Sequence, residues 1–194
     1  MRNLLLAAAS VLTLALAAPA VAQETRVLDS MDDATRWEAS ASTDVQAAVS
    51  AVAGHDGKAV RLDYDFDGKA GYAVLSRPLP FDLPENYEIS FWVRGAGPTN
   101  TFEVKLTDAS ADNVWWKQTA RYDFPDGWTR FVIKRRQVSK AWGPSPETIL
   151  RRAERVEFVV VAAEGGKGSV EIDWMRRKAN SRSRELSRSR SMSL

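Results

Sequence analysis

Along residues 86–95 apolar and polar positions alternate one by one. Tyr87, Ile89, Phe91 and Val93 fall on one side, and Glu88, Ser90, Trp92 and Arg94 on the other. Successive side chains of a strand project to opposite faces, so this spacing predicts a strand with one apolar and one polar face. Residues 101–108 repeat the pattern, with Phe102, Val104 and Leu106 against Thr101, Glu103, Lys105 and Thr107. Two such strands imply a sheet buried on one side and solvated on the other. Further strands are predicted over Thr25–Met31, Val45–Ala53, Lys58–Asp65, Gly71–Leu79, Val114–Arg121, Trp128–Arg135, Val156–Ala163 and Ser169–Met175. Turn-forming clusters separate them, among them Gly54-His55-Asp56-Gly57, Gly95-Ala96-Gly97-Pro98 and Pro125-Asp126-Gly127. Many short strands at this spacing predict an all-β jelly-roll sandwich. Only Pro146–Arg155 reads as a helix, about two turns long.

The two ends depart from this pattern. Arg2 precedes an apolar Leu- and Ala-rich run over Leu4–Ala18, followed by Pro19 and the small-x-small site Ala20-Val21-Ala22. This predicts a signal peptide over residues 1–22, export to the periplasm or the extracellular space, and no membrane attachment after cleavage. A membrane anchor is the rival, but the apolar run is shorter than the ~20 residues a spanning helix needs. Residues 179–194, rich in Arg and Ser, carry almost no apolar content and read as a disordered tail, in keeping with truncation of a longer chain. The domain between, residues 23–178, is long enough for one substantial core.

Charge is divided unevenly along the chain. Residues 176–194 hold seven Lys and Arg against one Glu, whereas residues 23–175 hold 19 basic and 24 acidic groups, net −5. The body therefore shows no basic stripe along its sequence, and nucleic acid is not the expected partner. The chain has no cysteine, which removes disulfides and thiolate metal sites.

Catalytic constellations are sparse. The single histidine, His55, sits in a glycine-flanked turn, where a surface position is expected rather than the base of a nucleophilic triad. Asp63–Gly68 has some of the spacing of a calcium loop but not its full length, and reads as a strand end running into a turn. The tryptophans are more informative, seven in all. Trp37, Trp128 and Trp174 are expected in the core or at sheet edges. Trp115 and Trp116 are neighbours, so a strand must turn one in and one out. Val114, Trp116 and Ala120 suit the apolar face, which leaves Trp115 outside with Lys117. Trp142 lies beside Gly143-Pro144, in a loop able to fold over a surface. A sugar presents an apolar C–H face and a rim of hydroxyls, and so requires a flat aromatic beside charged hydrogen-bonding groups. Trp92, Arg94, Glu103, Lys105, Trp115, Lys117 and Trp142 form the expected ligand-binding set, with no catalytic residue among them.

Four segments in order carry a resemblance: residues 28–33 (LDSMDD) followed by Trp37, residues 57–66 (GKAVRLDYDF), residues 87–95 (YEISFWVRG) and residues 170–175 (VEIDWM). Together they resemble galactose-binding-like β-jelly-roll domains, the group that includes carbohydrate-binding modules and coagulation factor 5/8 (discoidin) type domains of bacterial glycoside hydrolases. Residues 113–118 and 141–144 look like the form fused to such hydrolases. Discoidin domains usually carry a disulfide, which this cysteine-free chain cannot form, so the carbohydrate-binding branch is the closer resemblance. It implies a non-catalytic module that docks a poly- or oligosaccharide and concentrates a linked catalytic domain on it. It also implies a structural calcium, held by Asp32 and Asp173 with carbonyls of the Gly57–Lys58 turn. Two rival expectations are a glycosidase fragment with activity of its own and a protein-interaction jelly roll similar to the complex I assembly-factor type.

Overall fold

The computed structural model describes residues 24–179. The signal peptide expected over 1–22 and the tail expected from 179 lie outside these residues, except that Ala179 closes the last strand. The described chain runs through β1 (Thr25–Asp29), β2 (Glu38–Ala41), β3 (Gln46–Ala53), β4 (Lys58–Asp65), β5 (Tyr72–Asp82), β6 (Tyr87–Ala96), β7 (Asn100–Thr107), β8 (Val114–Tyr122), β9 (Thr129–Lys134), β10 (Ser139–Trp142), β11 (Arg152–Val161) and β12 (Lys167–Ala179). It is an all-β sandwich of two antiparallel sheets. The first sheet has the order β3-β4-β12-β6-β9, with β1 added against the far half of β12. The second has the order β10-β8-β7-β11-β5-β2.

The expected alternation holds along β6 and β7, whose apolar positions Ile89, Phe91, Val93, Phe102, Val104 and Leu106 are all buried. These strands follow each other in sequence but belong to opposite sheets, because the chain crosses the sandwich at residues 97–99. Gly97 makes that crossing possible: at φ 128° it packs so close to the start of β12 that a Cβ would lie 2.8 Å from the Cα of Gly168. Between the sheets, Phe91 meets Phe158 edge to face with centroids 5.0 Å apart, and Phe91 stacks on Phe131 at 5.2 Å. Trp37 packs on Phe158 from the β1–β2 connection at 5.6 Å.

The helix expected over Pro146–Arg155 is absent; the only helical segments among the described residues are two three-residue 3-10 turns, Ala34–Arg36 and Arg135–Gln137. Residues 146–151 are loop, and Arg152 already begins β11. That strand is paired on both sides, with β5 and β7, and two ladders of backbone hydrogen bonds outweigh a two-turn helical periodicity that satisfies fewer groups.

Phe158 contacts aromatic rings from both sheets and is fully buried. Phe158→Ala should therefore cost about 3–5 kcal/mol in urea denaturation. A loss below about 1 kcal/mol would mean that the sheets do not close on this ring.

Candidate functional site

Strand register decides which side chains share an outer surface. On the second sheet, Trp116, Lys105, Glu157, Ser76 and Glu38 lie opposite one another across five strands. The next row on the same face is Gln118, Glu103, Val159, Val74 and Ser40. Trp142 begins the row before, next to Val114 and Thr107, and Tyr72 closes the row after, next to Val161. Valines over the middle of this face are tightly covered, Val159 completely. Two aromatics stand up at opposite corners: Trp142 is 48 % exposed and Tyr72 47 %.

The charges on this face are already paired. Glu103 accepts from Lys105 at 3.0 Å and from the Gln118 amide at 2.6 Å. Arg155 donates to Ser76 Oγ at 2.6 Å and lies 3.4 Å from Glu157 and 3.6 Å from Glu38. Lys105 also lies beneath the indoles, its Nζ 5.2 Å from the Trp142 ring and 6.0 Å from Trp116, while the two rings meet edge to face at 5.6 Å. Arranged this way, the face offers an upright aromatic corner and fixed hydrogen-bonding groups around a middle of covered valines and neutralised charges.

The residues expected to form one surface are divided between two. Glu103, Lys105 and Trp142 lie on the outer face of the second sheet. Trp92 and Arg94 lie on the outer face of the first, because the chain crosses over between β6 and β7. There Trp92 is stacked by His55, with centroids 3.9 Å apart and planes 9° from parallel. Arg94 is held by Glu171 at 2.5 Å and lies 4.5 Å over the Trp128 ring. His55, as expected, is in an exposed turn.

The phase expected for Trp115 and Trp116 is reversed. Trp115 lies opposite core Leu106, is 2 % exposed, and donates through Nε1 to the Thr148 carbonyl at 3.0 Å. Trp116, opposite Lys105, is the outward one. Lys117 lies opposite Val104 in the inward phase and donates to the Gln118 carbonyl at 2.7 Å. Val114 misleads because it is buried although it lies on the outward side, opposite Thr107. Trp116 joins the face although the sequence placed it inside; its partner Lys105 carries the signal, since a polar cross-strand neighbour marks the outer phase.

The carboxylates expected to hold a metal do converge. Asp173 Oδ2 accepts from the backbone N–H of His55 at 2.8 Å and of Asp56 at 3.0 Å, and Asp32 Oδ1 accepts from Lys58 N–H at 2.9 Å. Both thus close on the Gly54–Lys58 turn. A Cβ on Gly57, at φ 77°, would lie 2.6 Å from Asp32 Oδ1. Asp173 is completely buried, and its Oδ1 has no hydrogen-bond partner. Burial raises its carboxyl above the ordinary range, opposed by the two turn amides, whereas the Lys58 amide holds Asp32 lower. A hard cation takes oxygen ligands, and an unpaired buried carboxylate oxygen beside a second carboxylate fits one. Among the described residues no group of three or more His, Cys, Asp and Glu gathers to hold a metal, so backbone carbonyls would have to complete any such set.

Trp115→Ala should destabilise the fold by about 3–5 kcal/mol, and Trp116→Ala by far less. Thermal melts of the two variants check this, and equal losses would contradict the register of β8.

No family model matches the chain, and no curated protein matches it. Solved structures do. A family 11 carbohydrate-binding module of a cellulosomal cellulase of Clostridium thermocellum is similar at TM-score 0.64 and 16 % identity, over 80 % of this chain and 95 % of that one. A family 11 module from the same organism, in complex with a β-1,3-1,4-mixed-linked tetrasaccharide, gives TM-score 0.65 and 16 % identity over 81 % and 96 %. An exo-β-agarase gives TM-score 0.55 and 17 % identity over 83 % of this chain but only 26 % of its own. At such identity the likeness is one of fold: this chain has the two-sheet β-sandwich of carbohydrate-binding modules.

Proposed function

We propose that this protein is a non-catalytic carbohydrate-binding module that docks a neutral glycan chain across the outer face of its second sheet. The observation that carries the reading is the combination on one face of the exposed Trp142, its partner Trp116 and charges already neutralised by one another. An indole matches the C–H face of a sugar ring, and Glu103, Gln118, Glu157 and Arg155 match its hydroxyls. A face without surplus charge favours a neutral chain over an acidic one. From β10 to β5 it is about 20 Å wide, room for several sugar units rather than one. The mixed-linked tetrasaccharide bound by a fold relative belongs to the same chemical class. The reading extends to export by the signal peptide, to the galactose-binding-like branch of jelly rolls, and to service beside a glycoside hydrolase whose local substrate concentration the module raises.

Its test is binding of neutral β-glucan oligosaccharides by calorimetry. Trp142→Ala should weaken binding roughly tenfold or more without lowering the melting temperature. Unchanged affinity in that variant, or no binding of any neutral glycan by the parent protein, would refute the reading.

The proposal includes a structural calcium at Asp32 and Asp173, with a role in stability and none in chemistry. Calcium should raise the melting temperature and a chelator lower it, because a ligand bound only to the folded state stabilises it by mass action. Asp173→Asn should abolish the difference. Without calcium, the raised Asp173 carboxyl gives a stability contribution fully present below the ordinary aspartate range and lost as pH rises through its folded value. Identical melts in calcium and in chelator would exclude the site.

A further inference from the structure

The acidic average of the body hides a separation of charge that appears only once the strands are assembled. The outer face of the first sheet carries a cavity of about 440 Å³, lined by Trp92, Trp174, Arg130, Arg176 and Lys178, with the hydroxyl residues Ser90 and Thr25 beside them. Among the described residues only Arg130 of the three cations has a carboxylate, Glu88 at 3.2 Å; it also donates to Ser90 Oγ at 3.0 Å. Arg176 lies with its guanidinium 4.6 Å over the Trp174 ring, and its Nε is buried with no hydrogen-bond partner. Lys178 forms no ion pair among the described residues.

The basic surface does not stop there. Glu88 has Lys178 opposite it on one side and Lys134 on the other, which puts the two lysines about 10 Å apart on the same face. Lys134 in turn lines a second cavity, of about 560 Å³, together with Arg135, Arg136, Arg151 and Glu85. None of these four cations forms an ion pair among the described residues. Seven Lys and Arg thus follow one another around this side of the sandwich against Glu88 and Glu85. They come from β9, the 3-10 turn, the loop before β11 and β12, and only folding brings the short basic runs at 134–136 and 176–178 together with Arg130 and Arg151.

We infer that this side of the molecule is a second binding site, for an acidic polysaccharide whose carboxylate or sulfate groups dock on Arg176, Lys178 and Arg130 and on the cations around Lys134. Guanidinium groups recognise carboxylate and sulfate through paired hydrogen bonds, and lysines add point charge along the chain. The indoles and the hydroxyl residues fit sugar rings. A sugar chain is favoured over a nucleic acid by the sandwich itself, which is that of carbohydrate-binding modules; the nucleic-acid alternative is an outcome of the test, since the one open face of an indole serves a base as well as a sugar. The site is opposite to the neutral face and independent of it, so each can fail without the other.

The full chain can be run in native gels containing polygalacturonate, dextran sulfate or mixed-linked β-glucan, with a single-stranded oligonucleotide as competitor. Retardation by an acidic chain is expected, and it should weaken with added salt. Arg176→Gln with Lys178→Gln should weaken acidic-chain affinity about tenfold and leave β-glucan retardation unchanged. Lys134→Gln with Arg136→Gln, both at exposed positions, provides the same test should the first pair lower the melting temperature. Trp142→Ala on the other face should leave acidic binding intact. The inference is overturned if no acidic polysaccharide retards the parent protein, or if folded variants of both pairs bind as tightly as the parent. It is overturned equally if the oligonucleotide displaces the acidic chain and binds more tightly than it.

Discussion

The structure depends on the closure of two sheets over one layer of aromatic rings. Phe91 enters from the first sheet and Phe102 and Phe158 from the second, and the edge-to-face contact of Phe91 with Phe158 sets the pairing between them. Because strand side chains alternate with period two, fixing one inward residue fixes the whole strand. Phe102 inward sends Glu103 and Lys105 outward. Phe158 inward sends Glu157 and Val159 outward. The outer face that carries the candidate site is thus the complement of the core, and a one-residue slip of β7 or β11 would bury its charges and expose its phenylalanines.

Buried charges do a different task at the margins of the sandwich. Asp29 and Arg77 pair where β1 faces β5, both nearly inaccessible, and Arg77 covers the Trp37 ring at 5.7 Å. Glu171 lies between Arg94 at 2.5 Å and Arg61 at 3.2 Å, tying three strands of the first sheet together. Such pairs add little net stability, since desolvation offsets most of the attraction. Their use is in register, because a displaced strand would leave a buried charge without its partner. Asp173 is the extreme case. Its strand bulges between Asp173 and Arg176, with Trp174 at φ 46°, and the carboxylate so displaced reaches back to hold the Gly54–Lys58 turn.

Much of the sandwich was legible in sequence. All ten predicted strands exist, and Lys58–Asp65 has the bounds expected. What was missed shares a cause. β2 and β10 are four-residue edge strands with small or mixed side chains, paired on one side only, and their pattern is too short to announce a period. The helix expected at Pro146–Arg155 was overruled by tertiary pairing of β11. Alternation also told inside from outside without telling which sheet. Trp92 with Arg94 and Glu103 with Lys105 were correctly assigned outward and wrongly assigned together, because three residues around Gly97 carry the chain from one sheet to the other. Trp115 shows the remaining limit: β8 has Val114 and Ala120 in one phase and Trp115 in the other, so its own pattern is ambiguous, and only the partner Leu106 resolves it.

The same logic explains why charge balance along the chain is a poor guide to charge on the surface. Within β12, Glu171 and Asp173 precede Arg176 and Lys178, two acids and two bases that balance in sequence on a strand whose six charged groups total +2. Folding buries the two acids against partners and leaves the bases outward, beside Arg130 and Lys134 of β9. On the second sheet the opposite holds: Glu103 with Lys105, and Arg155 with Glu157, are acid and base two residues apart on one strand, so they share a face and neutralise each other wherever that strand lies. Neutrality there is encoded locally. The basic surplus of the first sheet is encoded only in the topology that brings β9 and β12 to either side of β6.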